Sequence, residues 1–382
     1  MSHKYSYKIA FSTLGCKANY VDTEALIARC RRAGLEIVDF EEDADIHVVN
    51  TCTVTSVALG QSRQLLRRPR RTGKPTIVVA AGCAGEVSRE SLESCNPDAI
   101  FGTKEREKLF SFILERARVP GPSGEDHAPL PQSRARAFLK IQDGCNRRCS
   151  YCIVPYARGA AISFPPDEIE RRCEELSAHH NEIVLTGIDI GQYAWKEICG
   201  SRSINLASLL ERLLENSAIS RIRLSSLDPM SANDRIVSLM ERHAKLCRHV
   251  HLSIQSGSGA ILRSMGRTYS PNDVEEIALE LASRVPGIAL TGDIIAGFPG
   301  EGEAEHLESI RLVEKLPLAS LHVFPYSLRE GTRAAGMRGQ LQSCEKKKRA
   351  RELRLLAEKK RHAFLHSQTG LPLNCIVTSR AA

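Results

Sequence analysis

Two things are scarce in this chain of 382 residues. Aromatic side chains make up 5% of it, with a single tryptophan, and long apolar runs are missing. Few aromatics leave little with which to stack nucleobases, so an extended base-stacking groove is not expected. No run approaches the ~18 apolar residues of a spanning helix. The opening residues, Met1-Ser-His-Lys-Tyr-Ser-Tyr-Lys8, hold no apolar leader core. A cytoplasmic location without membrane attachment is therefore expected. No internal repeat or low-complexity tract breaks the pattern. Charged residues at 26% and apolar residues at 42% are ordinary for a globular chain. The length suggests two or more domains. The net charge of +8 is compatible with a polyanionic partner without establishing one.

Cysteine is not scarce: there are 13. In a chain expected to be cytoplasmic, that number argues for metal or redox chemistry rather than disulfides. The most informative run is Ile141-Gln-Asp-Gly-Cys-Asn-Arg-Arg-Cys-Ser-Tyr-Cys-Ile153. It spaces Cys145, Cys149 and Cys152 as C-x3-C-x2-C. Three thiolates on one short loop can hold three irons of a 4Fe–4S cube and leave the fourth without a protein ligand. Such an open iron lets the amine and carboxylate of S-adenosylmethionine chelate the cluster for reductive cleavage. The alternatives are a zinc site or buried thiols. Zinc usually takes four ligands in paired arms, and no second arm follows at a suitable distance.

The chain alternates strand and helix twice. Strand-like runs at Tyr7–Leu14, Leu35–Phe40, Ile46–Asn50, Thr76–Ala81 and Ala99–Phe101 are separated by helical patterns such as Val21–Ala33 and Val54–Arg67. They predict an α/β fold with a doubly wound parallel sheet. A Pro/Gly-rich stretch, Pro120–Pro131, marks a boundary. A second series has strands at Ala137–Ile141, Ile183–Thr186, Arg221–Ser225, His249–Ile254, Ile288–Ile295 and Ser320–Phe324. Its helices are expected at Pro166–His179, Leu206–Glu215, Asp234–His243, Asn272–Arg284 and Glu303–Lys315. Six β/α units suit a partial (β/α)6 barrel, since eight need about 250 residues. Ligands bind at the carboxyl ends of such strands, and the Cys145 loop follows the first of them. Beyond residue 341 come a charged helix, Cys344–Leu365, and a short apolar stretch, Leu373–Thr378.

In the first series, Cys16 follows the first strand, Cys52 the third and Cys83 the fourth. All three fall at carboxyl ends of parallel strands. Gly15 and Gly82 beside two of them permit close backbone approach. Spacing alone leaves two readings open, a second three-cysteine cluster or buried structural thiols. Cys30, Cys95, Cys173, Cys199, Cys247, Cys344 and Cys375 have no comparable context and read as ordinary thiols.

Several stretches together carry a resemblance. They are Thr13-Leu-Gly-Cys-Lys-Ala-Asn19, Val49-Asn-Thr-Cys-Thr-Val-Thr55, Lys140–Gly159, Leu185–Tyr193, His251-Leu-Ser-Ile-Gln-Ser-Gly257, Thr291–Gly300 and His322–Ser327. Over residues 6–368 the chain resembles the methylthiotransferases of the radical S-adenosylmethionine superfamily. Within them it is most similar to the tRNA branch that modifies N6-threonylcarbamoyladenosine. The resemblance implies a domain order: an N-terminal methylthiotransferase domain at 1–119, a linker at 120–134, a radical S-adenosylmethionine core at 135–340, and a basic helix at 341–368. Residues 369–382 would be the vestigial start of a truncated C-terminal RNA-binding barrel. Two departures stand out. The family often has Tyr-Ala-Gln or Met-Ala-Gln after the third auxiliary cysteine, where this chain has Ala84-Gly-Glu86, and its C-terminal barrel is longer.

The resemblance further implies two 4Fe–4S clusters, an auxiliary one on Cys16, Cys52 and Cys83 and a radical one on Cys145, Cys149 and Cys152. It implies S-adenosylmethionine as cofactor, cleaved to methionine and a 5′-deoxyadenosyl radical, and a second S-adenosylmethionine as methyl source. The reaction replaces the C2–H of the modified adenosine next to the anticodon with C–S–CH3. Thr186 and Gly187 match the segment that meets the methionine amine. Ser253, Gln255 and Asp293 are further candidates for cofactor binding at the barrel mouth. The partners implied are tRNA, an electron donor of flavodoxin or ferredoxin type and an unidentified sulfur donor, with the chain a monomer. Two basic stretches, Arg63–Lys74 and Lys346–Arg361, are candidate RNA surfaces or plain solvated helix faces. The competing functions are the ribosomal-protein aspartate methylthiotransferases and a degenerate iron–sulfur RNA-binding relic.

Overall fold

The computed structural model describes residues 7–121, 132, 134–196 and 203–377. Cys199 and most of the expected linker fall outside them. The chain divides into two compact units. One holds the described residues up to 121 together with 144–146 and 152–160, and the other holds 132–143, 147–151 and 161 onward.

The first unit runs β1 Lys8–Thr13, α1 Lys17–Arg32, β2 Glu36–Val38, β3 Ile46–Thr51, α2 Ser56–Arg67, β4 Ile77–Gly82, α3 Cys83–Val87, α4 Arg89–Glu93, β5 Ala99–Ile100 and α5 Arg106–Ala117. The strands form one parallel sheet in the order β2-β1-β3-β4-β5. Both faces are covered. Ile9, Ile46, Val48 and Val79 pack with Cys30, Leu109 and Ile113 on one side. Val49, Val78 and Ala80 pack with Leu66 and Leu92 on the other. That double cover explains why β3 is buried along its whole length, with polar His47, Asn50 and Thr51 included.

The rest of the chain contains β6 Ala137–Lys140, β7 Gln142–Asp143, α6 Val154–Arg158, β8 Ile162–Ser163, α7 Pro166–Ser177, β9 Ile183–Thr186, β10 Ala194–Lys196, β11 Ser203–Asn205, α8 Leu206–Glu215, β12 Ile222–Leu224 and β13 Ser226–Leu227. Then follow α9 Asp234–Arg242, β14 His249–Gln255, α10 Gly259–Met265, α11 Pro271–Arg284, β15 Ala289–Ala296, α12 Glu303–Lys315, β16 Leu318–Pro325 and α13 Ser343–Ser367. The main strands are parallel, in the orders β12-β9-β6 and β13-β14-β15-β16. Only Ser225 separates β12 from β13. The helices seat on one face through α8, which buries Leu206, Leu209, Leu210, Leu213 and Leu214 at helical spacing. A capping box at Ser270 and Asp273, with Pro271 in the first turn, fixes the start of α11. Leu139, Leu185, Leu252, Ile294 and Val323 point into the same core. The opposite strand face carries His251, Asp293 and His322.

The C-terminal expectation of a barrel strand is not met. Residues 371–377 form no strand, and Leu371, Leu373 and Val377 are exposed. Among the described residues no strand pairs with the segment; Arg221 Nη1 donates to the Asn374 carbonyl at 2.9 Å, and Leu371 N donates to the Gln368 carbonyl at 3.2 Å.

Candidate active site

The strand order of the first unit puts β1, β3 and β4 side by side, so the residues after them share one sheet edge. Cys16 caps the N-terminus of α1, Cys52 follows β3, and Cys83 opens α3. Gly15 has φ +95°, and a Cβ there would meet Cys52 Sγ at 2.7 Å, so only glycine lets the first loop run against the second cysteine. Gly82, at φ +92°, is similarly hemmed in by Asn50 and the Thr51 backbone. Asn19 ties the edge together: its Nδ2 donates to the Leu14 and Thr51 carbonyls at 2.9 and 3.0 Å. Cys83 Sγ donates to Asn19 Oδ1 at 3.6 Å. Cys52 N donates to Ser62 Oγ at 3.1 Å.

The thiols also interact electrostatically. Burial pushes the Cys83 thiol up to about 12, against the pull of Arg158, and the other two thiols push the same way. Burial also raises Cys52, again with a contribution from Cys16. Arg158, on α6, donates to Asn19 Oδ1 and to Asp22 Oδ2, the latter at 2.9 Å. Three mutually interacting thiols beside a guanidinium form a donor set suited to an anionic iron–sulfur cluster, whose assembly releases the thiol protons.

Cys145, Cys149 and Cys152 lie on the loop between β7 and α6. Gly144 precedes them at φ +68°. Its Cβ position would overlap the Ala160 carbonyl, and Cys145 N donates to the Gly159 carbonyl at 3.1 Å. Around Cys149, Ser150 bonds back to Met265 O and Ser264 O, both at 2.9 Å. The Arg267 guanidinium lies within electrostatic reach of the Cys149 thiol.

The other predicted residues sit at strand ends. Thr186 is buried, and its carbonyl accepts from Ile141 N at 2.9 Å. Gly187 packs against Gln142, whose Oε1 accepts from Ile188 N and Asp189 N at 3.1 and 3.0 Å. Ser253 and Ile254 accept from the Tyr269 hydroxyl. Gln255, buried at a register break in β14, holds φ +66°, a conformation that non-glycine residues seldom adopt. Asp293 meets two imidazoles. His251 Nε2 and His322 Nδ1 donate to the same Oδ1 at 3.0 and 3.2 Å. Burial alone would raise its carboxyl, but the two histidines outweigh that and hold it at about 2.

Sequence reasoning missed a buried charge network after β9 and β13. Arg147 bridges Asp189 Oδ2 at 2.7 Å and Asp228 Oδ1 at 3.3 Å, and Arg267 bonds Asp228 and the Tyr151 hydroxyl. Asp189 Oδ2 also accepts from Gln192 at 2.7 Å, whereas its buried Oδ1 has no partner among the described residues. An acidic residue three positions past Thr186 was the available signal.

The basic stretches change meaning. In α13, Arg349 is buried and paired with Glu301 at 2.9 Å and Glu345 at 2.8 Å. Arg354 donates to Val323 O and Lys360 to Leu316 O, while Lys346 lies over the Tyr326 ring. One face of the helix is therefore structural. Lys347, Lys348, Arg351, Lys359 and Arg361 are exposed, as is Arg354 apart from its bond to Val323 O. In 63–74, Arg68 pairs with Glu41, Arg70 with Asp98 and Lys74 with Asp43, which favours the solvated-face reading there.

Comparison with known proteins decides the family. Residues 8–102 match the family described as uncharacterized protein family UPF0004, and 139–313 match the radical SAM superfamily. The threonylcarbamoyladenosine tRNA methylthiotransferase MtaB of Bacillus subtilis is 38% identical, over 92% of this chain and 80% of its own. The protein of that name from Aquifex aeolicus is 34% identical over 97% and 92%. The tRNA-2-methylthio-N(6)-dimethylallyladenosine synthase of Syntrophomonas wolfei is 34% identical over 92% and 82%. The chain belongs to the tRNA methylthiotransferase family. It is a radical S-adenosylmethionine enzyme, with S-adenosylmethionine and 4Fe–4S clusters as the family's cofactors. Among solved structures, the radical S-adenosylmethionine methyltransferase TsrM from Kitasatospora setae is similar in fold, with a TM-score of 0.64 at 17% identity over 87% of this chain and 77% of that one. None of the described helices is long and apolar enough to cross a membrane.

Proposed function

We propose that this chain inserts sulfur and a methyl group at C2 of N6-threonylcarbamoyladenosine next to the anticodon of tRNA. The reading rests chiefly on the cysteine edge of the first unit, where Cys16, Cys52 and Cys83 converge. A single-cluster radical enzyme has no use for it. When bound, the radical cluster with S-adenosylmethionine supplies the hydrogen-abstracting radical, and the auxiliary cluster supplies the sulfur. Cys145, Cys149 and Cys152 would hold the former, and Cys16, Cys52 and Cys83 the latter.

The chain's own groups bind and orient. Thr186, Gly187, Ser253, Gln255 and Asp293 would line the S-adenosylmethionine site. Asp189 joins them as the acceptor for the methionine ammonium, because its Oδ2 is already occupied and its Oδ1 is not. The network of Arg147, Asp228 and Arg267 keeps that carboxylate in place. Asp189→Asn should weaken S-adenosylmethionine binding by about tenfold, since a charge-assisted hydrogen bond is replaced by a neutral one. Equilibrium dialysis of the reconstituted enzyme measures this, and unchanged affinity would remove Asp189 from the site.

The domain limits at 119, 134, 340 and 368, a cytoplasmic monomer, and a flavodoxin or ferredoxin type electron donor belong to the same reading. RNA affinity would come largely from phosphate contacts. Changing Lys347, Lys348, Arg351, Lys359 and Arg361 to Glu should weaken tRNA binding and flatten its salt dependence, with iron content unchanged. Filter binding across a salt series checks it, and an unaltered affinity places the RNA elsewhere.

The decisive test is nucleoside mass spectrometry of tRNA with and without the gene. Loss of the methylthio form of threonylcarbamoyladenosine is the expected result. Loss of methylthio-dimethylallyladenosine instead would move the assignment to the activity named for the Syntrophomonas relative. No change in either would overturn it.

A further inference from the structure

Three neighbouring strands of the second unit bring two imidazoles and a carboxylate together, with no cysteine among them. β14, β15 and β16 run parallel, with His251 opposite Thr291 and Asp293 opposite His322. Successive side chains on a strand alternate faces. His251, Asp293 and His322 therefore leave the sheet on the side opposite Leu252, Ile294 and Val323. His251 Nε2 lies 3.0 Å and His322 Nδ1 3.2 Å from the same oxygen, Asp293 Oδ1. One donor atom from each residue falls within 4.8 Å of the others. Donors about 2.0–2.1 Å from one tetrahedral ion stand about 3.3 Å apart, so two of the three spacings already match.

The surroundings fit a ligand set. Thr291 Oγ1 lies 2.8 Å from His251 Nδ1 and donates to the Val250 carbonyl at 3.4 Å. With its hydrogen given to Val250, the hydroxyl accepts from His251 Nδ1–H and turns Nε2 toward Asp293. A metal-binding histidine is oriented in this way, by a partner on its other ring nitrogen. Exposure rises across the group: the side chain of His251 is 10% exposed, Asp293 25% and His322 60%. The inner end is fixed and the outer end is open to entry. The charge also has the right sign. An anionic oxygen shared by both rings suits a cation and would repel a carboxylate or a phosphate.

We infer that His251, Asp293 and His322 bind one divalent transition-metal ion, through Nε2, Oδ1 and Nδ1, at a site that uses no cysteine. Two imidazoles and one carboxylate are the donor set that holds zinc or non-haem iron(II) with coordination positions left over. Binding releases the protons that the rings share with Oδ1. Three protein ligands leave room for water or an oxygen of a bound molecule, as reactive metal sites do and structural ones do not. Asp293 then meets the mouth of the strands through the ion rather than directly.

Mn²⁺ is the probe, because it prefers oxygen and nitrogen donors and leaves thiolates to iron. It is titrated anaerobically into reconstituted enzyme cleared of loose metal, and free Mn²⁺ is read from its electron paramagnetic resonance signal. The expected result is one saturable site per chain. His322→Ala should weaken binding by about tenfold or more, with cluster iron content unchanged. Because the His322 ring is largely exposed, that variant should keep the fold. Asp293→Asn should weaken binding as well, and if it does not fold, His322→Ala carries the test. His362→Ala is the control, an exposed histidine beside Glu358 on α13, and should change nothing. No saturable binding up to millimolar Mn²⁺ would overturn the site and leave hydrogen bonds as the whole role of the cluster. So would binding that survives His322→Ala, or that His362→Ala weakens equally.

Discussion

Anaerobically reconstituted protein should carry about eight irons, four per cube. Cys149→Ala should leave about four, and so should Cys52→Ala. The two variants should then part company. Cys149→Ala should form no 5′-deoxyadenosine, because the cluster with the open iron is gone. Cys52→Ala should still cleave S-adenosylmethionine, at least slowly, yet add no sulfur to tRNA. Iron analysis, chromatography of 5′-deoxyadenosine and nucleoside mass spectrometry read the three outcomes separately. A wild-type content near four would rule out two clusters, and full methylthiolation by Cys52→Ala would rule out the auxiliary role.

Arg349→Met should cost roughly 3–5 kcal/mol of stability, because it strands a buried carboxylate. Arg349 Nη1 donates to the Glu301 carbonyl at 2.7 Å and to its Oε1 at 2.9 Å, and both side chains are almost fully buried. Burial already raises the Glu301 carboxyl despite this partner. Without the arginine it should take up a proton more readily, so the deficit should be smaller near about pH 4 than at pH 8. The double variant Arg349→Met, Glu301→Gln should recover part of the loss. Urea unfolding at the two pH values measures each. A single-variant loss under about 1 kcal/mol would demote the pair to a surface interaction.

That arginine also marks where sequence reading stops. The helices at Leu206–Glu215 and Glu303–Lys315 were legible to the residue, because apolar spacing and the residues at their ends agree. The run Lys346–Arg361 was legible as a basic helix, but composition does not say which cations turn inward. Arg349 turns toward Glu301, ahead of α12, and Lys360 toward the Leu316 carbonyl, just past its end, and only the fold reveals that. The cysteines divide the same way. Cys145, Cys149 and Cys152 announce themselves because one loop carries them. Cys16, Cys52 and Cys83 converge only because β1, β3 and β4 are neighbours, an order that local patterning does not encode. Asp189 was missed because a single acidic residue three positions past Thr186 is a weak signal by itself. Its meaning comes from Arg147 and Gln192 occupying one oxygen and leaving the other.

Gln255 gives the second unit an asymmetry between holding shape and holding ligand. A side chain at φ +66° costs about 1–3 kcal/mol that a glycine would not. The turn itself needs no amide. The penalty persists at the mouth of the strands, so at this position the chain sits off its own stability optimum, and the amide is the one feature a glycine could not supply. Gln255→Gly should therefore raise heat resistance, and under the proposed cofactor-binding role of the amide it should do so at the expense of turnover.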